Sequence, residues 1–409
     1  MKLLCLIGPL ALLVCPALAN DEQRLGVRFE VRAADLPKPY ATDSASRSPR
    51  KIDRPDDATL QVPAGFKVNI FRANLRGPRW LKVAANGDVI LAETWADQVR
   101  ILRDRDGDGV AEFSTVFSDE IENPHGLALQ IGWLYVSDPT TVWRYPYLPG
   151  QTIRDRRRQQ VTADGALGDG SGHSTRNLAI SPDGEYLYIA VGSEGNISEE
   201  ELPRASVQKL HLKSGAMTTF ASGLRNAVGI EFYPDNKALY VTVNERDGFG
   251  EELVPDYLTQ IQEGDFFGWP YAYSGTLSAP KYGAKRPDLV GKSKRPDVLF
   301  QSHSAPLGLV FYTGLSFPEA YHGDGFVAFH GSWNAARPRG YKIVRVRFSE
   351  GVPENAYENF AVGFWQSGDG PAEVWGRPAG LAVAKDGSLL IADDTGGVIW
   401  RISYEGNTK

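Results

Sequence analysis

A short hairpin unit recurs six times along the chain, and this recurrence limits the possible folds more than any other feature. Each copy has an apolar stretch, a turn often built on Asp-Gly or Asn-Gly, and a second hydrophobic stretch. Alternating apolar residues broken by such turns are typical of antiparallel strand pairs. The copies begin at Pro78, Pro124, Arg176, Ala227, Pro306 and Arg377. The repeats predict an all-β fold, a six-bladed β-propeller, because the competing β-sandwich would not repeat one hairpin six times.

The chain divides into three predicted parts. Residues 1–19 resemble a secretory signal, in which Lys2 precedes an apolar stretch and Ala17-Leu18-Ala19 forms the cleavage site. Residues 20–60 are rich in Pro, Ser and Arg and are expected to form an extended lead-in, which would close the ring if it adds a strand. Residues 61–405 are the predicted propeller, with short helices expected only around Val254–Gln262 and Glu354–Phe360. The signal predicts a periplasmic or secreted protein.

The composition excludes several classes of site and partner. Both cysteines, Cys5 and Cys15, lie in the predicted signal. The mature chain would then have no disulfide, no thiolate nucleophile, no zinc–thiolate site and no covalently attached haem. A formal net charge of -6 argues against a nucleic-acid partner and against a basic membrane-binding patch.

Several polar residues occupy one equivalent position in the repeats. His125, His173 and His303 each stand just before the first strand of a unit, and Arg225–Asn226 and Arg377 take that place in two other units. Equivalent loops of a ring of blades converge on its axis, so we expect these side chains to share a pocket. The arginine fork suits carboxylates, which predicts a planar, polyanionic ligand. Inter-blade ion pairs for the arginines and a three-histidine metal site remain open alternatives.

Three segments carry a family resemblance. They are HSTRNLAISPDGEYLYIAVGSEGN from His173, LRNAVGIEFYPD from Leu224, and VNERDGFGEELVPDYLTQIQEGDFFGWP from Val243. These segments are similar to the soluble glucose dehydrogenase and sorbosone dehydrogenase family over about residues 60 to 404. Members of that family are six-bladed propellers that oxidise sugars or aldoses with pyrroloquinoline quinone (PQQ) and Ca2+. The resemblance implies the same cofactors and a sugar-like alcohol or hydrated aldehyde as substrate.

The resemblance also implies catalytic and cofactor-binding roles by position. His173 resembles the general base that takes the substrate hydroxyl proton. Arg225 and Asn226 resemble the pair beside the quinone oxygens, where Arg225 would stabilise developing charge. Arg377 resembles an arginine that binds a cofactor carboxylate. The remaining residues predicted to bind the cofactor are His125, His303, Trp333 and Asn334.

The sequence departs from the family pattern near three of these positions. Gly172 stands where glucose dehydrogenase has an acidic residue beside its base. Trp333 and Asn334 lie where that enzyme has a lysine, and Arg337 and Arg339 are alternative replacements. The calcium position, where backbone carbonyls bind the ion, is occupied by Asp247 and Gly248, and these two are the predicted metal ligands. HSAPLGL and GSWN look more like the sorbosone dehydrogenase branch.

The segment DRDGDG from Asp104 matches the start of an EF-hand calcium loop. Thr115 stands where such a loop needs a bidentate glutamate, and the flanking segments are predicted strands. A tight hairpin is therefore favoured over a second calcium site.

Three functional hypotheses follow from the sequence. The first is a periplasmic PQQ- and calcium-dependent dehydrogenase that passes electrons to a separate cytochrome or quinone, because the chain has no haem motif. The second is a propeller lactonase or hydrolase with one divalent metal, a class that would want Glu, Asn and Asp rather than His and Arg around its pocket. The third is a non-catalytic binding propeller.

Overall fold

The computed structural model describes residues 21–406, which form an almost entirely β-stranded protein. The predicted signal and both cysteines lie outside these described residues. Within residues 21–406, no helix is long and apolar enough to cross a membrane.

The lead-in contributes two short strands, β1 (Arg28–Phe29) and β2 (Arg50–Lys51), and is followed by β3 (Phe66–Arg72). Three blades come next in chain order. Blade 1 has β4 (Pro78–Val83), β5 (Val89–Glu93), β6 (Gln98–Arg103) and β7 (Phe113–Ser118). Blade 2 has β8 (Leu127–Gln130), β9 (Trp133–Ser137), β10 (Val142–Pro146) and β11 (Gln159–Gln160). Blade 3 has β12 (Leu178–Ile180), β13 (Tyr186–Val191), β14 (Ser206–His211) and β15 (Met217–Ser222).

The remaining three blades contain the insertions of the propeller. Blade 4 begins with β16 (Asn226–Phe232), β17 (Leu239–Asn244) and β18 (Tyr257–Ile261). An insertion follows, with the short strands β19 (Asp265–Phe266), β20 (Ala272–Tyr273) and β21 (Leu277–Ser278) and the helix α1 (Pro287–Lys292). The last strand of blade 4 is β22 (Val298–Leu299). Blade 5 has β23 (Pro306–Phe311), β24 (Gly325–Phe329), β25 (Lys342–Val346) and, after β26 (Phe348–Ser349) and β27 (Val352–Pro353), β28 (Tyr357–Ala361). Two short strands, β29 (Trp365–Ser367) and β30 (Glu373–Val374), precede blade 6, which has β31 (Pro378–Val383), β32 (Leu389–Asp393) and β33 (Val398–Tyr404).

The ring closes in blade 6, where a strand from the beginning of the propeller joins three from its end. β3 pairs antiparallel with β33 over Phe66 to Arg72. The first strands of the six blades are innermost, and each packs on its neighbour, including β31 on β4 across the closure. This arrangement confirms the all-β propeller prediction. The core consists of clusters of buried apolar side chains between adjacent blades.

The two predicted short helices are wrong. The segment after Val254 contains β18, which pairs antiparallel with β17, and the segment after Glu354 contains β28, which pairs with β25. Each strand is paired on both sides within its blade, and this tertiary pairing decides its conformation because isolated short segments carry little intrinsic preference. The single α-helix in the described part of the chain is α1.

Loop lengths differ sharply at one end of the ring. Strands within each blade are antiparallel, so the loops before the inner strands and the loops joining second to third strands share this end. The second-to-third loops are short in blades 1, 2 and 6, at residues 94–97, 138–141 and 394–397. They are long in blades 3, 4 and 5, at residues 192–205, 245–256 and 330–341. The long loops therefore build a wall on one side of the axis.

The Asp104 segment lies at the opposite end, in the turn that joins the paired strands β6 and β7. Asp104 accepts hydrogen bonds from the amides of Gly107 and Gly109, at 2.7 and 2.8 Å. The favoured hairpin is therefore observed. The carboxylates of Asp104, Asp106 and Asp108 also lie within 4.8 Å of one another, with the last two exposed.

Candidate active site

A cavity of about 270 Å³ lies at the end of the ring that carries the long loops. All the residues predicted to form the site line this cavity except His125 and Gly248. The predicted residues in the lining are His173, Arg225, Asn226, Asp247, His303, Trp333, Asn334 and Arg377. Equivalent loop positions thus converge on one pocket, as the repeat argument predicts.

His173 is held in one tautomer by its neighbours. Its Nδ1 lies 2.8 Å from the backbone carbonyl oxygen of Ser193, which can only accept, so Nδ1 carries the hydrogen. Nε2 is then an unprotonated acceptor on a ring that lines the cavity. Burial, and next the positive charge of Arg225, lowers the pKa of His173 to about 4. The imidazole is therefore neutral near pH 7 and ready to accept a proton.

A glycine makes room for this histidine. Gly192 follows β13 directly, and a Cβ built there would lie 2.5 Å from both the Cβ of His173 and the Oδ1 of Asn226. Real Cβ atoms do not approach other atoms so closely. The absence of a side chain at Gly192 therefore lets the loops of blades 3 and 4 meet at the cavity.

Arg225 is buried, and three hydrogen bonds fix the orientation of its guanidinium. Its Nε donates to the carbonyl oxygen of Asn196 at 3.0 Å, one terminal nitrogen donates to the Asn196 side chain at 3.0 Å, and the other donates to the carbonyl of Asn244 at 3.2 Å. Burial lowers its pKa, although the nearby Asp247 opposes this effect. Asn196, a residue that the sequence argument missed, also accepts from the indole nitrogen of Trp269 at 3.0 Å.

Asp247 connects the loops of blades 4 and 5. Its carboxylate accepts a hydrogen bond from the Asn334 amide and lies 3.5 Å from Nδ1 of His303 and 3.7 Å from Arg225. Burial opposes protonation of His303, but the neighbouring carboxylates of Asp247 and Asp256 raise its pKa above the usual value. Gly248 follows Asp247 in the same loop with a φ of 92°, and its own atoms are not part of the cavity lining.

Two further acidic residues face this cavity and were missed by the sequence argument. Glu245 is buried, and its Oε1 has no hydrogen-bond partner among the described residues. Asn226 Oδ1 is the second buried acceptor without a described partner in the lining. Asp256 accepts from the amides of Glu245 and Ala305, and burial raises its pKa to about 7. The run NERDGFGEELVPD, dense in charges for a propeller loop, was the available signal for these residues.

Arg377 and His330 line the cavity next to each other. Arg377 donates to the backbone carbonyls of His330 and Gly331 at 2.9 and 2.7 Å, which fixes its side chain in the lining. His330 Nε2 donates to Asp394, at 3.0 Å to the nearer oxygen, and Arg79 forms an ion pair with the same carboxylate. Burial, and then the Arg377 charge, lowers the pKa of His330 to about 4. A second neutral imidazole therefore lines the cavity.

His125 lies apart from these residues, buried outside the cavity lining. Its Nδ1 donates to Asn177 Oδ1 at 2.9 Å, its Nε2 accepts from Arg79 at 3.5 Å, and its ring packs on Trp80. Burial lowers its pKa to about 3. The loop before blade 2 therefore supplies a neutral residue to the interior, whereas each of the loops before blades 3 to 6 supplies a lining residue of the cavity.

The arrangement suits a planar anionic ligand with a bound cation. Arg225 and Arg377 supply fixed positive charge, while Asn226 Oδ1 and Glu245 Oε1 have no hydrogen-bond partner among the described residues, although the other oxygen of Glu245 pairs with Arg246. Trp333, whose surface is 48% exposed, offers an apolar face at the mouth of the cavity. A neutral histidine beside these groups can accept a proton from a bound hydroxyl.

Comparisons with known proteins identify relatives over most of the chain. The family model described as TrAA12-like matches residues 60–264 and 278–405. An uncharacterized protein of Borreliella burgdorferi is 28% identical over 360 residues, covering 85% of this chain and 92% of that protein. A pyrroloquinoline quinone-dependent pyranose dehydrogenase of Coprinopsis cinerea is 24% identical over 412 residues, covering 84% of this chain. The match covers 54% of that enzyme, so the chain spans about half its length.

Solved structures share the fold. The holo form of the PQQ domain of pyranose dehydrogenase from Coprinopsis cinerea superposes with a TM-score of 0.72 at 20% identity, covering 87% of this chain and 99% of that one. The calcium structure of a Trichoderma reesei carbohydrate-active enzyme of family AA12 gives a TM-score of 0.71 at 21% identity, covering 86% and 98%. The resemblance to quinone-dependent sugar dehydrogenases that the sequence motifs indicate is thus confirmed at the level of family and fold.

Proposed function

This chain belongs to the TrAA12-like family, and we propose that it is a sugar dehydrogenase that depends on PQQ and calcium. Two relatives support the proposal, since one is a PQQ-dependent pyranose dehydrogenase and the other is a family AA12 enzyme whose structure was solved with calcium. The observation that carries it is the unprotonated Nε2 of His173 in a cavity that is also lined by the buried Arg225 and the partly buried Arg377.

The residues present fit both cofactors. PQQ is a planar tricarboxylate, and Arg225 and Arg377 would bind its oxygens through fixed donor groups. Calcium takes six to eight oxygen ligands, and the loop that contains Asp247 and Gly248 is the proposed place for it. Glu245 Oε1 and Asn226 Oδ1 are buried acceptors without described partners, as expected for atoms that await a cation or a ligand donor.

His173 would act as the general base. Its Nε2 would accept the proton of a substrate hydroxyl as the hydroxyl-bearing carbon is oxidised to a carbonyl. PQQ, when bound, would supply the acceptor for the hydride that leaves that carbon. Ser193 keeps Nδ1 protonated, so Nε2 is the only ring nitrogen that can receive the proton. Arg225, already oriented by Asn196 and Asn244, would stabilise negative charge that develops beside it.

The proposal includes the substrate, the electron acceptor and the location of the protein. The substrate would be a sugar or hydrated aldehyde, with a sorbosone-like compound as one candidate, and electrons would leave to a separate cytochrome or quinone. Residues 1–19 support a periplasmic or secreted location. Amino-terminal sequencing of the protein purified from its host should then begin at Asn20.

Reconstitution tests the proposal. The purified protein is incubated with PQQ and Ca2+, and reduction of an artificial electron acceptor is followed across a panel of pyranoses, aldoses and simple alcohols. We expect turnover with sugars only when both cofactors are present. Absence of PQQ binding, or binding without turnover across the whole panel, would overturn the proposal.

The same purified protein also tests the alternative that this chain is a lactonase. The cavity holds Glu245, Asn226, Asn244 and Asp247 as well as histidines and arginines, so residue types alone do not separate the two activities. Hydrolysis of sugar lactones with a divalent metal and without PQQ would favour the lactonase. Family membership favours the dehydrogenase.

A further inference from the structure

The lead-in crosses the face of the propeller that contains the cavity. Its residues 40–51, here called the strap, lie outside the family match, which starts at residue 60. The strap ends in β2, whose Arg50 and Lys51 pair in parallel with Glu373 and Val374 of β30. The strap is therefore attached to the ring at one end and contacts loops at the other.

The strap first contacts the loop that holds Asp247. The amide of Tyr40 donates to the carbonyl of Phe249 at 2.7 Å. The amide of Gly250 donates to Ser44 Oγ at 3.1 Å, and the amide of Glu251 donates to Thr42 Oγ1 at 2.8 Å. Three consecutive backbone groups of this loop thus bond to the strap, directly after Asp247 and Gly248.

The strap then contacts the loop that holds Trp333 and Asn334. The amide of Arg47 donates to the carbonyl of Trp333 at 2.6 Å, and the Arg47 side chain donates to the carbonyl of Ala336 at 3.2 Å. One exposed segment therefore bonds to the backbone of both loops that meet at the Asp247–Asn334 hydrogen bond.

The two loops also bond to each other beneath the strap. Both carboxylate oxygens of Glu251 accept from the amide of Ala336, at 2.8 and 2.9 Å, and Arg339 donates to Glu252 at 3.1 Å. The carbonyl of Gly250 lies 3.3 Å from Nε2 of His303. A displacement of either loop would therefore move lining residues of the cavity.

We propose that Thr42, Ser44 and Arg47 of the strap are positioning residues for the cofactor pocket, acting through the loops of Asp247 and Trp333. This inference rests on the proposed function for its ligand, but its structural part concerns the protein alone. Long loops lose much conformational entropy when they are ordered, and a segment that bonds to both in advance lowers that loss upon binding.

The test compares three double variants of the full protein. Thr42→Val with Ser44→Ala removes both hydroxyl acceptors, whereas Thr42→Ser with Ser44→Thr keeps them. Ser46→Ala with Ser48→Ala is the control, because these exposed serines of the same strap have no hydrogen bond to either loop among the described residues. Arg47→Ala separately removes the side-chain bond to Ala336.

Hydrogen exchange in the protein without cofactor is the first measurement. In the acceptor-removing variant we expect peptides covering residues 245–249 and 332–335 to exchange about threefold faster or more, with the other blades unchanged. The acceptor-keeping and control variants should match the natural protein. Unchanged exchange in both loops, or faster exchange throughout the ring with a lower melting temperature, would overturn the inference.

Cofactor binding is the second measurement. The acceptor-removing variant should bind PQQ with calcium about three- to tenfold more weakly, with rescue by the acceptor-keeping variant. The substrate KM at saturating cofactor should change less than the cofactor affinity. Equal affinity in all variants would overturn the inference. If the natural protein binds no PQQ, the proposed function fails, and the exchange measurement still decides the role of the strap.

Discussion

At the residue scale, one backbone carbonyl decides what His173 can do. Because Ser193 accepts from Nδ1, the ring presents an unprotonated Nε2, and burial keeps that nitrogen from binding a proton in neutral solution. A histidine in water would be about one-quarter protonated at pH 7. The fold therefore gives this residue the protonation state that a general base requires.

His173→Ala should retain PQQ and calcium binding and lose about two to four orders of magnitude in turnover, because the proton acceptor is removed. Turnover is measured by dye reduction. Full activity of the variant would refute the base assignment.

In the natural protein, kcat/KM should fall only as the pH drops through about 4, since the lowered pKa of His173 keeps the imidazole unprotonated above that value. The pH profile is measured by dye reduction in the pH range where tryptophan fluorescence remains native.

Gly192→Ala should abolish or strongly weaken cofactor binding. Its new Cβ would lie 2.5 Å from His173 and from Asn226, so at least one of them must move away from the cavity. Fluorescence titration with PQQ measures the loss. Gly291→Ala is the matched control, because nothing lies within 4 Å of a Cβ built at Gly291 in helix α1. Unaltered binding by Gly192→Ala would show that this close approach is not needed.

At the element scale, the lead-in is part of the fold, but it does not close the ring as expected from the sequence. Closure is made by β3, whereas β1 adds an edge strand to blade 5 through pairing of Arg28 and Phe29 with β28. Beside it, Glu22 reaches the interior of blade 5 and pairs with the fully buried Lys342 at 2.8 Å. Burial lowers the pKa of Lys342, and the Glu22 carboxylate opposes that change.

Glu22→Gln should lower the free energy of unfolding by about 3 kcal/mol, because it leaves the Lys342 ammonium buried without a carboxylate. Urea unfolding followed by fluorescence gives the value. Glu30→Gln serves as control, since Glu30 pairs with Arg32 on the surface, where solvent screens the interaction. Equal effects of the two substitutions would contradict a structural role for the buried pair.

At the scale of the whole molecule, stability depends on joining the two ends of the propeller. Phe71 of β3 is buried in the cluster between blades 6 and 1, together with Leu81, Leu102 and Leu390. This cluster contains residues distant in sequence, so it forms only when the ring closes. The described residues contain no cysteine, so these contacts act without a disulfide.

Phe71→Ala should therefore lower the free energy of unfolding by about 3 to 5 kcal/mol, as expected for removing a buried aromatic ring. Ile131→Ala should change it by less than about 0.5 kcal/mol, because Ile131 is 98% exposed. Both are compared by urea unfolding. A small effect at Phe71 would show that closure of the ring contributes little.

The sequence by itself determined the blades and the end of the ring where the pocket lies. Strand alternation and turn residues are local properties, and six similar units place equivalent loops around one axis. His173, Arg225, Asn226, His303 and Arg377 consequently share the cavity. The family resemblance added Asp247, Trp333 and Asn334, which line it as well.

Only the tertiary structure decided which side chains reach that cavity. His125 occupies an equivalent loop but turns towards Asn177 and Arg79, whereas Glu245 and His330 enter from the long loops of blades 4 and 5. The strap contacts those loops through its backbone amides and through the hydroxyl of Thr42, and these partners are more than 200 positions apart in the sequence. Spacing in sequence sets where a loop starts, but the distances between atoms of different blades depend on packing among residues hundreds of positions apart.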